Sequence, residues 1–156
     1  MGADILSWAV GLQDENETIR FAARLASVLK AGDVVALSGQ LGAGKTSLAR
    51  GIIRAIAGAD IEVPSPTFTL VQEYRELAPP VVHYDLYRVR DAGELVELGL
   101  GEADRDALVL LEWPERAEGM LLKEALSIEL AGGERGRLAT IAGGAGWSSR
   151  LGDLRL

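Results

Sequence analysis

The segment SGQLGAGKTS, residues 38–47, restricts this chain more than any other part of its sequence. Within it, Gly39 is followed after four residues by Gly-Lys-Thr, which fits the eight-residue pattern of a phosphate-binding loop. An apolar run at 34–37 precedes the segment, and a helical pattern follows it to Gly58. Glycines let backbone N–H groups approach a phosphate without a Cβ clash, and a helix N-terminus adds unpaired N–H groups. The order strand, loop, helix therefore predicts a phosphate cradle rather than a turn that is glycine-rich by chance.

The pattern assigns a role to each residue type in this loop. Lys45 is expected to place a positive charge on the β and γ phosphates, and the Thr46 hydroxyl to ligate Mg²⁺. The residues expected to surround the phosphates beside these two are Gly39, Gly42, Ala43, Gly44 and Ser47. A nucleotide with its Mg²⁺ is therefore the predicted ligand.

The rest of the chain reads as one alternating succession of helices and strands. A capping pair, Asp14 and Glu17, precedes an apolar stripe that runs to Leu29, and Gly32 suits the end of that helix. A second helix is predicted at 45–56 and a short one between Asp91 and Gly99. Strands are predicted at 34–38, 70–74, 81–85, 107–111, 126–130 and 138–141, and Pro114 suits a helix start. The predicted fold is α/β, a single P-loop domain over 1–156 with a mixed, mainly parallel sheet flanked by helices.

Composition excludes several classes of protein. The 156 residues contain no cysteine and one histidine, which excludes a disulfide framework and a cysteine zinc site. The sequence has no apolar run of membrane-spanning length and no secretory signal pattern at its start, so we expect a cytoplasmic protein without membrane contact. The net charge of −7 and the scattered arginines disfavour direct binding to nucleic acid.

Two apolar runs end in a carboxylate, at Asp85 and at Glu112. Because strand ends meet at one edge of a parallel sheet, either acid is expected near the γ-phosphate, and the residues alone leave their roles open. Trp113 follows Glu112 and is compatible with core packing, whereas His83 is interpreted as a strand histidine and not as a base.

The segment Ser65-Pro66-Thr67 occupies the chain position of a loop that senses the γ-phosphate, although an ordinary proline-rich connection fits equally well. The Asn-Lys-x-Asp motif that reads guanine is absent, since the sole asparagine is Asn16. The predicted nucleotide is therefore ATP.

Several motifs together make the sequence recognisable: LSGQLGAGKTSLARG, VPSPTFTLVQEY, HYDLYR, ELGL and LEWPER. In this order and spacing they resemble the bacterial TsaE (YjeE) family. The resemblance implies a P-loop ATPase, weak when alone, that acts with a TsaB–TsaD heterodimer in making threonylcarbamoyladenosine (t6A) in tRNA. Contact with the tRNA itself would then be indirect, through these partners.

The resemblance also assigns roles to particular residues. It implies that Glu112 contacts Mg²⁺ and that Asp85 is the essential aspartate, acting as base or water-positioner. Trp113 matches a tryptophan that the family needs, and Ser65, Pro66 and Thr67 match its switch-like loop. Two further residues are implied at the edge of the nucleotide, Glu15 and Arg137. Two other functions remain open, a small-molecule kinase and an ATP-binding regulatory module without turnover.

Overall fold

The computed structural model of this protein describes residues 6–100, 105–117, 124–133 and 136–152. The strands are β1 (Leu6–Leu12), β2 (Val34–Gly39), β3 (Val71–Tyr74), β4 (Val81–Asp85), β5 (Leu108–Glu112), β6 (Leu126–Gly133) and β7 (Gly136–Gly143). The helices are α1 (Glu15–Ala26), α2 (Lys45–Ala57), α3 (Ala92–Glu97) and α4 (Ala145–Leu151), and Pro114–Ala117 forms a short 3₁₀ helix.

These strands form one sheet in the order β1-β7-β6-β2-β5-β4-β3. The four central strands, β6, β2, β5 and β4, run parallel, while β3 at one edge and β7 and β1 at the other pair antiparallel. The predicted α/β fold with a mixed sheet, parallel in its centre, is confirmed. In the register of the central strands, Glu112 pairs with Leu37 on one side and with Asp85 on the other. Both predicted carboxylates therefore lie beside the loop that follows β2.

The central strands are buried on both faces. All five residues of β4 and all five of β5 are buried, as expected for parallel strands covered on both sides. Alternate side chains enter different clusters: Leu108 and Leu110 pack on the side of α1 and α2, and Val109 and Leu111 pack on the other. Because side chains alternate along a strand, Glu112 shares the face of Leu110 that packs against α2.

The predicted capping signals are confirmed. The Asp14 carboxylate accepts the Glu17 N–H at 2.8 Å at the start of α1, and Asp91 accepts the Glu94 N–H at 3.1 Å at the start of α3. Gly58 ends α2 in the left-handed region, with φ of 67°.

Several features differ from the sequence-based prediction. Strand β1 and helix α4 were not predicted, and β6 and β7 extend beyond the predicted segments to meet in a hairpin. Helix α1 ends at Ala26 with Ser27 as its cap, so the assignment of Gly32 to the helix end is wrong. Gly32 instead lies in the turn before β2, where its N–H donates to Ala107 O at 2.8 Å and its φ is 92°. Pro114 begins a single 3₁₀ turn rather than an α-helix.

We expect Gly51→Ala to destabilise the protein, although alanine favours a helix over glycine by about 1 kcal/mol. A Cβ at Gly51 in α2 would lie 2.8 Å from the Ala22 Cβ in α1. Neither methyl group can rotate away, so overpacking of about 1–3 kcal/mol exceeds the gain in helix propensity. Urea unfolding is expected to show a net loss of about 1 kcal/mol. In an Ala22→Gly background the same change should stabilise the protein, and a gain in the parent background would contradict the contact.

Candidate nucleotide site

The loop between β2 and α2 has the backbone conformation that its glycines predict. Gly39, Gly42 and Gly44 adopt φ values of 140°, 80° and 108°, all in the region that favours glycine. A Cβ at Gly39 would lie 2.3 Å from the Leu130 carbonyl oxygen, so the loop runs close against β6. Ala43 is buried against the core, which anchors the middle of the loop. Glycine is thus required here both for conformation and for space.

Lys45 is held inside this loop. Its side-chain nitrogen donates to Gly39 O at 2.7 Å and to Gln40 O at 2.8 Å, and it lies 4.2 Å from the centre of the Trp113 ring. Only 5% of the residue is exposed. Burial lowers the pKa of Lys45, against the opposing attraction of nearby carboxylates, first of all Glu112. The Lys45 ammonium therefore lies in a poorly hydrated environment, where its electrostatic attraction to an anion is stronger than it would be in water.

Thr46 and Glu112 form a direct contact between the loop and β5. The Thr46 hydroxyl donates to the two carboxylate oxygens of Glu112, at 2.9 Å from Oε1 and 3.1 Å from Oε2. Oε2 also lies 2.6 Å from Nε2 of His83, on β4. Glu112 is 2% exposed and His83 is completely buried. The structure therefore places Glu112, and not Asp85, against the Thr46 hydroxyl.

Asp85 connects the end of β4 to the segment 65–67. Its Oδ2 accepts the Thr67 hydroxyl at 3.1 Å, and its Oδ1 accepts the Tyr87 N–H at 3.0 Å. The Ser65 and Thr67 hydroxyls lie 2.8 Å apart, and Pro66 is buried. The predicted segment 65–67 thus touches the predicted aspartate directly.

Trp113 adopts an unusual backbone conformation. Its φ is 61°, a left-handed value that is uncommon for a bulky residue, and its N–H donates to Leu37 O at 3.2 Å. The Tyr87 ring lies against it, with centroids 4.8 Å apart. The indole lies against Lys45, is partly buried, and packs on the edge of the hydrophobic cluster that contains Val109 and Leu111. Strained backbone of this kind clusters at functional sites.

Two adjoining cavities follow the loop. One, of about 240 Å³, is lined on the helix side by Lys45, Thr46 and Ser47 and on the strand side by Asp85 and Glu112. The other, of about 280 Å³, lies where Glu15, Gly42 and Ala43 meet. Arg137, on β7, lines both cavities.

Arg137 is fixed by α1. Its guanidinium donates to the Thr18 hydroxyl at 3.2 Å and to the Glu15 carboxylate at 3.4 Å. It also packs so closely on Gly44 that a Cβ there would lie 2.4 Å from Nε. The two residues predicted at the nucleotide edge are therefore together, beside the loop.

The oxygen ligands at this site fit Mg²⁺. Thr46 supplies a hydroxyl and Glu112 a carboxylate, both hard donors of the kind that Mg²⁺ prefers. Among the described residues, no group of three or more histidine, aspartate or glutamate side chains is arranged to hold a metal by itself. Mg²⁺ usually keeps several waters and binds through one or two carboxylates together with substrate phosphates, so Thr46 and Glu112 could hold it beside a nucleotide.

The structure places most of the predicted site residues in the loop or around its two cavities. Ser65 contacts the cavity-lining Thr67, and Pro66 lies between them without lining either cavity. Two further residues adjoin the site. His83 contacts Glu112, and Tyr87 contributes its N–H to Asp85 and its ring to Trp113. Strand alternation already places His83 on the same face as Asp85, two residues on, and that signal could have linked it to the site. Sequence spacing contains no such signal for Tyr87.

A strand, a glycine-rich loop with Lys-Thr, and a helix in a mixed sheet that is parallel in its centre define a protein of the P-loop NTPase fold. More narrowly, the chain belongs to the TsaE family. The profile of that family, described as threonylcarbamoyl adenosine biosynthesis protein TsaE, matches residues 12–139. The family takes part in tRNA threonylcarbamoyladenosine biosynthesis, and the resemblance inferred from the motifs is confirmed.

Individual relatives agree with this assignment. The tRNA threonylcarbamoyladenosine biosynthesis protein TsaE of Rickettsia felis is 41% identical over 119 residues, which cover 76% of this chain and 70% of that protein. Its counterpart in Mycobacterium tuberculosis is 42% identical over 125 residues, covering 73% of each chain. The crystal structure of Bacillus subtilis YdiB superposes with a TM-score of 0.72 at 28% identity and covers 99% of this chain and 95% of YdiB.

Within the part of the chain that the structure describes, no helix has the length and apolar character needed to cross a membrane.

Proposed function

We propose that this chain is the Mg²⁺-dependent ATPase subunit of t6A synthesis and that it acts with a TsaB–TsaD heterodimer. One observation carries the proposal. One cavity of about 240 Å³ is lined by four residues from three elements. These are Lys45 and Thr46 at the start of α2, Asp85 at the end of β4 and Glu112 at the end of β5. A cationic donor, a hydroxyl and two carboxylates around a phosphate loop are the set that phosphoryl transfer to water requires.

In this proposal the loop binds the nucleotide through its N–H groups and Lys45. The Lys45 ammonium, now bonded to Gly39 O and Gln40 O, exchanges part of that bonding for the β and γ phosphate oxygens. Thr46 and Glu112 would hold Mg²⁺, which would neutralise charge that develops on the phosphates. Glu15 and Arg137 lie where the second cavity can receive the nucleoside end.

Asp85 is proposed to orient the attacking water and to accept its proton. Its Oδ2 is engaged by Thr67, so that contact must open or be shared when water binds. The segment 65–67 would then move as the γ-phosphate is bound and released. Through the contact between Thr67 and Asp85, hydrolysis would change the conformation of a surface loop.

The surface around the cavity supports a protein partner. Leu41, which lines the cavity, is 68% exposed, and Phe68, next to the cavity-lining Thr67, is 82% exposed. The net charge of −7 disfavours direct contact with tRNA, so the proposal assigns tRNA recognition to the partners.

The test is phosphate release from ATP by the purified chain, with and without a purified TsaB–TsaD heterodimer. The chain alone is expected to be slow, and the heterodimer to stimulate release at least about tenfold, as partner-completed sites do. The heterodimer alone and a reaction with EDTA are the controls. Unchanged release with the heterodimer, preference for GTP, or a phosphorylated small molecule in place of free phosphate would each contradict the proposal.

A further inference from the structure

We propose that His83 is a positioning residue that fixes the orientation of Glu112 towards Thr46 and Mg²⁺. The inference rests on the proposed nucleotide site and adds a residue to it. Nε2 of the imidazole lies 2.6 Å from Glu112 Oε2, and we assign it as the hydrogen-bond donor of this pair. Without this donor the carboxylate would be free to rotate away from the Thr46 hydroxyl.

Sheet register explains how the two side chains meet. His83 pairs with Leu110, and Glu112 pairs with Asp85, two residues further along the parallel strands β4 and β5. His83 and Glu112 therefore share one face of the sheet and are diagonal neighbours. His83 is completely buried and Glu112 is 2% exposed, so water cannot replace the contact easily. An exposed carboxylate would have no comparable need for a protein donor.

The chemistry of the contact selects one tautomer of the histidine. An ionised carboxylate only accepts hydrogen bonds, so Nε2 must carry the proton that lies between the two groups. Nδ1 is then an acceptor, and it has no hydrogen-bond partner among the described residues. The opposite tautomer would place two lone pairs against each other at 2.6 Å and would leave a buried N–H unpaired, which is costly.

His83 does not act on the nucleotide directly. The cavity beside Lys45 is lined by Asp85 and Glu112, and His83 is not among the residues that line it. Its effect is therefore transmitted through Glu112, as partners behind a metal ligand set the orientation of that ligand. The expected signature is a change in the Mg²⁺ dependence of nucleotide binding, with no change in binding without metal.

The first experiment uses the unaltered protein, because His83 is its single histidine. In protein labelled with ¹⁵N-histidine, long-range ¹H–¹⁵N spectra are expected to show a protonated Nε2 and a bare Nδ1. With the ATP analogue AMP-PNP bound in EDTA, addition of excess MgCl₂ is expected to shift the imidazole signals. Two results would overturn the inference. One is a proton on Nδ1 alone. The other is that Mg²⁺ strengthens AMP-PNP binding but leaves the imidazole signals unchanged. If Mg²⁺ fails to strengthen AMP-PNP binding, the proposed function fails, and the inference with it.

The second experiment compares His83→Gln with His83→Asn by calorimetric titration of AMP-PNP at a series of Mg²⁺ concentrations. Glutamine places an amide N–H where Nε2 stood, whereas asparagine is too short to reach Glu112. The Mg²⁺ concentration at which the increase in AMP-PNP affinity is half-maximal should rise about tenfold in His83→Asn. In His83→Gln it should stay near the parent value. AMP-PNP affinity in EDTA is expected to be equal in all three proteins. Equal weakening in both variants, or in neither, overturns the inference, and the spectra decide it if a variant does not fold.

Discussion

The Asp85→Asn variant is expected to lose at least about 100-fold of its partner-stimulated phosphate release, because general-base catalysis typically contributes that much or more. The amide keeps an oxygen that can accept the Tyr87 N–H, now 3.0 Å from Oδ1. What it loses is the negative charge that attracts a proton from water. Binding of Mg-ATP should remain close to that of the parent, since Glu112 and not Asp85 contacts Thr46. Phosphate release and AMP-PNP titration measure the two quantities.

Asp91→Asn is the matched control for this change. Asp91 is exposed and caps α3 through a bond to the Glu94 N–H, which asparagine can also accept. That variant is expected to hydrolyse ATP at the parent rate with the heterodimer. Full turnover by Asp85→Asn would show that Asp85 takes no part in hydrolysis and only binds the Thr67 hydroxyl.

Structural elements that depend on residues close together in the sequence could be predicted from the sequence. The loop pattern and its flanking strand and helix identified the cradle, and the Asp14 cap identified the start of α1. The buried runs that became β4 and β5 were correct to within one residue, because fully apolar segments of this length suit the centre of a parallel sheet. Both predicted carboxylates terminate those strands.

Features set by distant pairing were harder to predict. Strand β1 acquires its identity from pairing with β7, more than a hundred residues away, although its alternation of Trp8, Val10 and Leu12 was already visible. Helix α4 contains glycine, serine and tryptophan, which favour a helix weakly, and it is held by packing of Trp147. Likewise, the residues could not decide whether Asp85 or Glu112 meets Thr46, since both end neighbouring strands. The strand order separates them, because β5 and not β4 lies beside β2, and the Thr46 hydroxyl donates to Glu112.

Lys45→Met is expected to reduce partner-stimulated phosphate release by about 100- to 1,000-fold, the usual loss when one donor to a developing anion is removed. ATP affinity should fall as well, because the ammonium is the cationic group that the loop itself supplies to the phosphates. Methionine is similar in length and keeps contact with Trp113, so the loop should retain its shape. ATP affinity and turnover near the parent values would show that Lys45 has no contact with the phosphates.

The free energy of unfolding of Lys45→Met shows whether its loss of activity comes from the missing ammonium or from a protein that no longer folds. Burial of the Lys45 ammonium costs free energy, while its bonds to Gly39 O and Gln40 O and its attraction to Glu112 offset part of that cost. Lys45→Met is therefore expected to unfold in urea within about 1 kcal/mol of the parent near neutral pH. Because burial lowers the pKa of Lys45 below its ordinary 10.5, the native chain loses this proton before the unfolded chain does. The stability of the parent relative to the variant should thus rise as the pH rises through the native pKa towards 10.5. A difference that falls with pH over this range would mean that the ammonium is stabilised, not desolvated, in the empty loop.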